Sequence, residues 1–153
     1  MRKLRIYLDT SVVGGYFDDE FCRDTQLLFD EIQNGQYQVV ISDLTENELV
    51  NAPESVRNLF EDLGITFELV TVTQESIDLA AEYIKEKVVG QTSMDDCIHI
   101  ATATINKVDL LISWNFKHIV NILRIRGYNS LNIKNGYAAL EIRSPKDLIN
   151  YED

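Results

Sequence analysis

Cysteine is scarce: Cys22 and Cys97 are the only two in 153 residues. They allow one disulfide at most, and a reducing compartment with two free thiols fits the pair better. Histidine is equally scarce, and His99 and His118 do not join the cysteines at zinc-finger spacing. Cys97 and His99 lie two apart on a predicted helix, so they face different ways. No apolar run is long enough to span a membrane. Met1-Arg2-Lys3 leads straight into the first apolar run with no secretory core or cleavage signal, so a cytoplasmic location is expected. Basic residues are also in short supply, with 14 Lys and Arg against 25 Asp and Glu and a net charge of -11. That opposes non-specific binding to nucleic acid, which relies on cations neutralising phosphates. It favours solubility, a basic partner, or carboxylates held together by cations. The chain has no Gly-x-Gly-x-x-Gly, no Walker A and no Gly-x-Ser-x-Gly. Dinucleotide binding, P-loop chemistry and a hydrolase elbow therefore lack their signatures.

With 45% hydrophobic residues the chain can bury a real core, and its length suits one domain over residues 1–153. Leu4-Arg5-Ile6-Tyr7-Leu8 reads as a buried strand that ends in Asp9-Thr10-Ser11. Val12 to Cys22 reads as a loop or a short helical turn. A helix is expected over Asp24 to Gln33, stopped at Asn34-Gly35. A second strand, Tyr37 to Ile41, ends in Ser42-Asp43. Next come a short helix from Thr45 to Val50, a helix through Val56, Leu59, Phe60 and Leu63 closed by Gly64, and a strand from Phe67 to Val72. Thr73 caps a long helix to about Val89. Gly90 to Ser93 is a loop, and Met94 to about Asn106 a helix. Asp109 to Ser113 is a fourth strand. A helix opening at Trp114 or Asn115 is ended by Gly127. Leu131-Asn132-Ile133 and Leu140-Glu141-Ile142 read as short late strands, and Ser144-Pro145 starts a terminal helix. Strands alternating with helices imply crossover connections and a mainly parallel sheet covered on both faces, an α/β class.

Carboxylates carry the chemistry that remains. Asp9 lies at a strand end, where open parallel sheets place their ligands; it is also a good helix cap. Glu46 and Glu48 follow the second strand. Asp95 and Asp96 open an otherwise apolar helix, where an acidic pair needs water or a counter-charge or serves the helix dipole. Each acid has an ordinary explanation alone. Three at strand ends or helix starts, with no Cys or His among them, suit Mg²⁺ or Mn²⁺. Between Leu110 and Leu140 there is no acid, and Lys117, His118, Arg124 and Arg126 make that stretch locally basic. His99 lies three residues after Asp96 and reads either as a partner of the acidic site or as a packed helix residue with a satisfied hydrogen bond. Trp114 and Phe116 read as anchors of a helix entry or as platforms for a base.

The order Leu8-Asp9-Thr10-Ser11, Ser42-x-x-Thr45-x-x-Glu48-Leu49, Asp96-x-x-x-x-Ala101-Thr102-Ala103 and Leu111-Ile112-Ser113-x-Asn115 resembles the PIN-domain nuclease family, which includes VapC-like toxins of toxin–antitoxin pairs. The resemblance runs from the first strand to about Ile119. It implies a three-layer α/β/α sandwich and metal-dependent cleavage of RNA. By that resemblance Asp9, Glu48 and Asp96 are the metal-binding acids, Glu48 rather than Glu46 and Asp96 rather than Asp95. Ser113 matches a small hydroxyl residue after the fourth strand, and Thr10 or Ser11 joins the outer shell. Many members carry a further acid where this chain has Asn115 and His118. Asn115 offers oxygen without charge, and with Ser113 it would orient the attacking water. The basic stretch, Lys117, His118, Arg124 and Arg126, would carry the RNA backbone. A homodimer and an antitoxin partner are implied by resemblance alone. Two other classes compete. One is a binding module on the same fold that recognises RNA or a protein. The other is a phosphoryl-transfer enzyme or receiver with Asp9 as acceptor; it lacks a second Asp at Ser11 and a well-placed Lys after the fourth strand.

Overall fold

The computed structural model of the chain describes residues 2–90 and 93–149. Gln91 and Thr92 of the expected loop, and the end of the expected terminal helix, lie outside them. Five parallel strands form one sheet: β1 (Leu4–Leu8), β2 (Tyr37–Ser42), β3 (Phe67–Val70), β4 (Leu110–Ile112) and β5 (Glu141–Arg143). Their order across the sheet is β3-β2-β1-β4-β5. The chain builds outward from β1 on one side, then returns to its other side with β4. β1 and β4 therefore flank the place where strand order reverses, the usual ligand crevice of such sheets.

Side chains alternate across each strand, and the two faces feed two separate cores. Ile6, Leu8, Val39, Ile41, Leu110 and Ile112 pack with Leu28, Phe29 and Phe60 on one face. Tyr7, Val40, Leu111 and Ile142 pack with Leu79, Tyr83, Ile100, Ala101 and Tyr128 on the other. Helices α1 (Thr10–Gly15), α2 (Cys22–Gln33), α3 (Asp43–Leu49), α4 (Glu54–Arg57), α5 (Leu59–Leu63), α6 (Gln74–Lys85), α7 (Met94–Ile105) and α8 (Ile122–Lys134) complete the layers. This is the expected α/β/α sandwich. No helix among the described residues is long and apolar enough to cross a membrane.

Several boundaries differ from the sequence expectation. The segment after Asp9 is a helix, α1, from its first residue. The helix expected around Val56 to Leu63 is divided at Asn58, whose backbone (φ -97°, ψ 5°) leaves the helical region; Gly64 closes the second half with φ 67°. α6 begins at the Thr73 capping box but stops at Lys85, because Lys87 turns left-handed at φ 61°. The helix after Trp114 starts later, at Ile122, where the Asn121 side chain accepts from the Leu123 and Arg124 N–H groups. Gly127 does not end it. A Cβ there would meet Val88 Cγ1 at 2.8 Å, so this glycine permits close packing instead of a stop. Leu131 to Ile133, expected as a strand, is the last part of α8. The expected terminal helix is, within the described residues, one 3₁₀ turn, Pro145–Leu148, capped by Ser144 and Asp147.

Gly15 has a similar packing role beside the crevice. A Cβ on it would lie 2.8 Å from Trp114 Cδ1 and Nε1 and 2.9 Å from Thr25 Oγ1. Gly15→Ala should therefore destabilise the protein by about 1–3 kcal/mol through overpacking. Thermal unfolding and the Trp114 fluorescence spectrum would register it together; an unchanged melting temperature would contradict the tight fit.

Candidate active site

The carboxyl ends of β1, β2 and β4 are level, since Tyr7 pairs with both Val40 and Leu111 and Leu8 with Ile112. The residues that follow these strands therefore meet at one edge. After β1 comes Asp9, which caps α1. It is 4% exposed and fully engaged. Its Oδ1 accepts from Ser11 Oγ at 2.6 Å and from the Val12 N–H at 3.3 Å, and its Oδ2 accepts from Ser113 Oγ at 2.5 Å. The cap and site readings of Asp9 thus coexist in one residue. After β4 comes Ser113, whose oxygen also accepts the Asn115 N–H at 2.9 Å. Ser11 Oγ accepts the Trp114 N–H at 2.9 Å. Two hydroxyls thereby relay backbone donors onto one buried carboxylate.

After β2, Ser42 caps α3 and carries Glu48 to the same edge. Glu48 Oε1 accepts from Thr10 Oγ1 at 2.8 Å and lies 2.5 Å from His99 Nε2. Glu46 instead lines an apolar groove with Leu49, Val50, Phe60 and Phe67. Asp96 enters from the first turn of α7, half-buried, while Asp95 is exposed. Asp96 Oδ2 accepts from Asn115 Nδ2 at 3.2 Å. The Asn115 oxygen is committed elsewhere, accepting from the Lys117 and His118 N–H groups at 3.2 and 2.9 Å. Asn115 therefore presents its amide hydrogens, not its oxygen, to the acids.

The basic candidates divide. Lys117 and Arg126 are exposed. Arg124 is half-buried and donates to the Val88 carbonyl. His118 lies near enough to Asp96 to draw its pKa down, and its Nδ1 is buried with no partner among the described residues. Trp114 is an anchor: its indole N–H donates to Thr25 Oγ1 at 2.9 Å and its ring stacks on Phe21 at 4.3 Å. Phe116 is half exposed beside it.

Electrostatics tie the three acids together. Burial raises the Asp9 carboxyl above its ordinary value, against the pull of His99, Ser11, Ser113 and the Val12 N–H. Burial also raises Asp96, and the charges of Asp9 and Glu48 push it further. Burial alone would raise Glu48, yet its hydrogen bonds from His99 and Thr10 bring it below the ordinary value. The signs give opposite pH windows. For Asp9 and Asp96, stability is fully present below the ordinary carboxylate range and is lost as pH rises through their raised values. For Glu48, stability is present above that range and is lost as pH falls through its lowered value. As pH rises and both groups ionise, the metal-free protein thus takes on the Asp9–Asp96 repulsion. Denaturant unfolding between pH 4 and 8 should show stability declining with rising pH in the wild type, and less so in Asp96→Asn; identical slopes would contradict the coupling.

The donor set is oxygen-rich and mutually repelling, which suits a hard divalent cation. As the side chains stand, no three His, Cys, Asp or Glu groups among the described residues converge tightly enough to hold an ion. Thr10, His99, Ser11, Ser113 and Asn115 instead hold the acids one by one. Sequence reasoning missed the Thr10–Glu48, His99–Glu48 and Asn115–Asp96 contacts. The spacing of His99 from Asp96 gave the one signal; the ring is packed with its hydrogen bonds satisfied, and its acidic partner is Glu48.

Among solved structures, the fold is similar to a toxin–antitoxin complex from Klebsiella pneumoniae (21% identity, TM-score 0.53, covering 73% of this chain and 88% of that one). It is also similar to FitAcB from Neisseria gonorrhoeae (16% identity, TM-score 0.58, 94% and 99%). A third similar structure is VapBC2 from Rickettsia felis bound to a DNA fragment from their promoter (15% identity, TM-score 0.53, 92% and 98%). A search of curated proteins gave no match. The family model of the PIN domain matches residues 6–116, which run from within β1 to just past Asn115. The chain belongs to the PIN-domain family.

Proposed function

We propose that this protein is a metal-dependent ribonuclease and the toxin of a toxin–antitoxin pair. The observation that supports the reading is that Asp9, Glu48 and Asp96 stand at the carboxyl edge of the sheet beside the strand-order reversal, with Asp96 raised by burial first and then by the charges of Asp9 and Glu48. Repulsion among such acids is relieved by a cation. Asp9, Glu48 and Asp96 would hold Mg²⁺ or Mn²⁺. When bound, the ion supplies Lewis acidity toward a phosphodiester and a nucleophilic water at neutral pH. The chain's own residues do the rest. Ser11 and Ser113 hold the Asp9 carboxyl fixed and pull against the upward shift that burial gives it. Asn115, with its amide directed at Asp96, orients that carboxylate and can donate to the attacking water. Lys117 and Arg126, both exposed, would carry RNA phosphates, and His118 lies near Asp96. The toxin role and an antitoxin partner are supported by the similar toxin–antitoxin structures; a cytoplasmic location is retained from the sequence and a homodimer from the family resemblance.

Purified protein should cleave RNA with Mn²⁺ and stop on chelation. Mn²⁺ at a hundred times its dissociation constant should also stabilise the fold by about 2.7 kcal/mol. Induced expression should arrest growth. One observation favours a rival reading, a binding module of weak activity: Asn115 brings no charge where many relatives have an acid. RNA binding without Mn²⁺-dependent cleavage would put that reading first.

A further inference from the structure

Behind Glu48 runs a row of buried hydrogen bonds that the proposed chemistry does not use. The Thr45 N–H donates to Ser42 Oγ at 3.4 Å. Ser42 Oγ lies 2.7 Å from the Tyr7 hydroxyl, which lies 2.6 Å from His99 Nδ1. His99 Nε2 then reaches Glu48 Oε1 at 2.5 Å. Tyr7, Ser42 and His99 are 0%, 0% and 2% exposed, so water does not complete these bonds.

Both ends of the row have fixed polarity. A backbone N–H only donates, and an ionised carboxylate only accepts. A bare Nε2 lone pair facing the carboxylate at that distance would be repelled, so Nε2 carries the hydrogen. A neutral ring then has its lone pair at Nδ1 and accepts the Tyr7 O–H. The Tyr7 oxygen in turn accepts the Ser42 O–H. Every proton has an acceptor and no buried charge is needed. In the reverse sense the ring would have to be a buried imidazolium, and the Ser42 O–H would lose its acceptor in the row.

The far end explains why such a row is useful. Thr10 and His99 both bond to Oε1 of Glu48, and among the described residues Oε2 accepts none. Asp9 is short and held by three donors, whereas Glu48 is long and reaches inward from α3. Left loose, its rotamers would have to be frozen when a ligand binds. We infer that Ser42 and Tyr7 fix His99 in the Nε2–H tautomer, and that His99 so directed is a positioning residue that pins Glu48 by Oε1 and leaves Oε2 facing the site. The inference rests on the reading of the acids as an ion site; the polarity of the row does not.

The chain has two histidines, so ¹⁵N-histidine labelling gives a two-ring spectrum, assigned by His118→Gln. At neutral pH the metal-free wild type should show His99 protonated at Nε2 and bare at Nδ1. Tyr7→Phe keeps the buried ring but removes the donor to Nδ1. It should give mixed tautomers and weaken Mn²⁺ binding in calorimetry about 10–100-fold, the usual loss for a residue that orients a ligand, with the far-UV circular dichroism unchanged. Ser42→Ala, one link further back, should move both readouts the same way by less; it serves if Tyr7→Phe does not fold. An Nδ1–H ring, an imidazolium or a mixture in the wild type would overturn the inference, as would unchanged tautomer and affinity in Tyr7→Phe. A fixed, Tyr7-dependent tautomer in a protein that binds no Mn²⁺ supports the row and overturns the metal reading of the acids.

Discussion

Asp96→Asn folds normally and loses RNA cleavage by about 10³-fold, the equivalent of several kcal/mol of charge stabilisation at about 1.4 kcal/mol per decade. The substitution keeps the shape of the side chain and its place in the first turn of α7. It removes one negative charge from a group that Asp9 and Glu48 already push against. The metal-free variant should therefore be as stable as the wild type or more so at neutral pH, because the repulsion falls while the Asn115 contact can be kept by rotating one amide. Stability and activity move in opposite directions, which separates a functional acid from a structural one. Cleavage assays and thermal unfolding on the same preparation decide it. Wild-type activity in Asp96→Asn would remove this acid from the site, and joint loss of activity and fold would make it a structural residue.

Trp114→Ala should cost about 3–5 kcal/mol, the range for truncating a large buried aromatic. At 2–4 °C per kcal/mol for a chain of this size, the melting temperature should fall by about 10 °C. The indole is 6% exposed, stacks on Phe21, bonds to Thr25 and fills the space that Gly15 leaves open. Its backbone N–H also anchors Ser11, one of the two hydroxyls on Asp9. The loss is therefore felt in the site as well as the core. Trp114→Phe should recover much of the stability without the Thr25 bond. If Trp114→Ala melted like the wild type and only RNA binding fell, the residue would be a base platform, not an anchor. Phe116, half exposed next to it, is the better platform on this geometry.

Much of the plan was legible in the chain because its signals were local. A β-branched and aromatic run that stops at Asp9 marks a strand end. Thr73 and Gly64 act at the helix ends where their chemistry places them. The family resemblance prefers Glu48 to Glu46; in the structure Glu48 bonds to Thr10 and His99 while Glu46 lines a groove. What failed depended on distant partners. Gly127 looks like a helix stop, but the deciding neighbour is Val88, 39 positions earlier in the numbering. Leu131-Asn132-Ile133 has apolar residues at strand spacing. Yet Asn132 is buried and bonded to Tyr83 of α6, a contact only a helix there provides. The helix spacing of His99 leaves its partner open, and the fold supplies it from Glu48, 51 residues away. Of the hydrogen-bond carriers of the site, Ser11 and Ser113 meet because β1 and β4 are neighbours, and Thr10 reaches Glu48 because β1 and β2 are. Sequence order alone does not encode that pairing.

The central claim is that the three acids form one metal site. Calorimetric titration of Mn²⁺ into the wild type and into Asp96→Asn tests it most directly. The account predicts saturable binding to the wild type that is lost in the variant. Equal binding to both would place the ion elsewhere, and no binding to either would contradict the metal site and give first place to the binding-module reading.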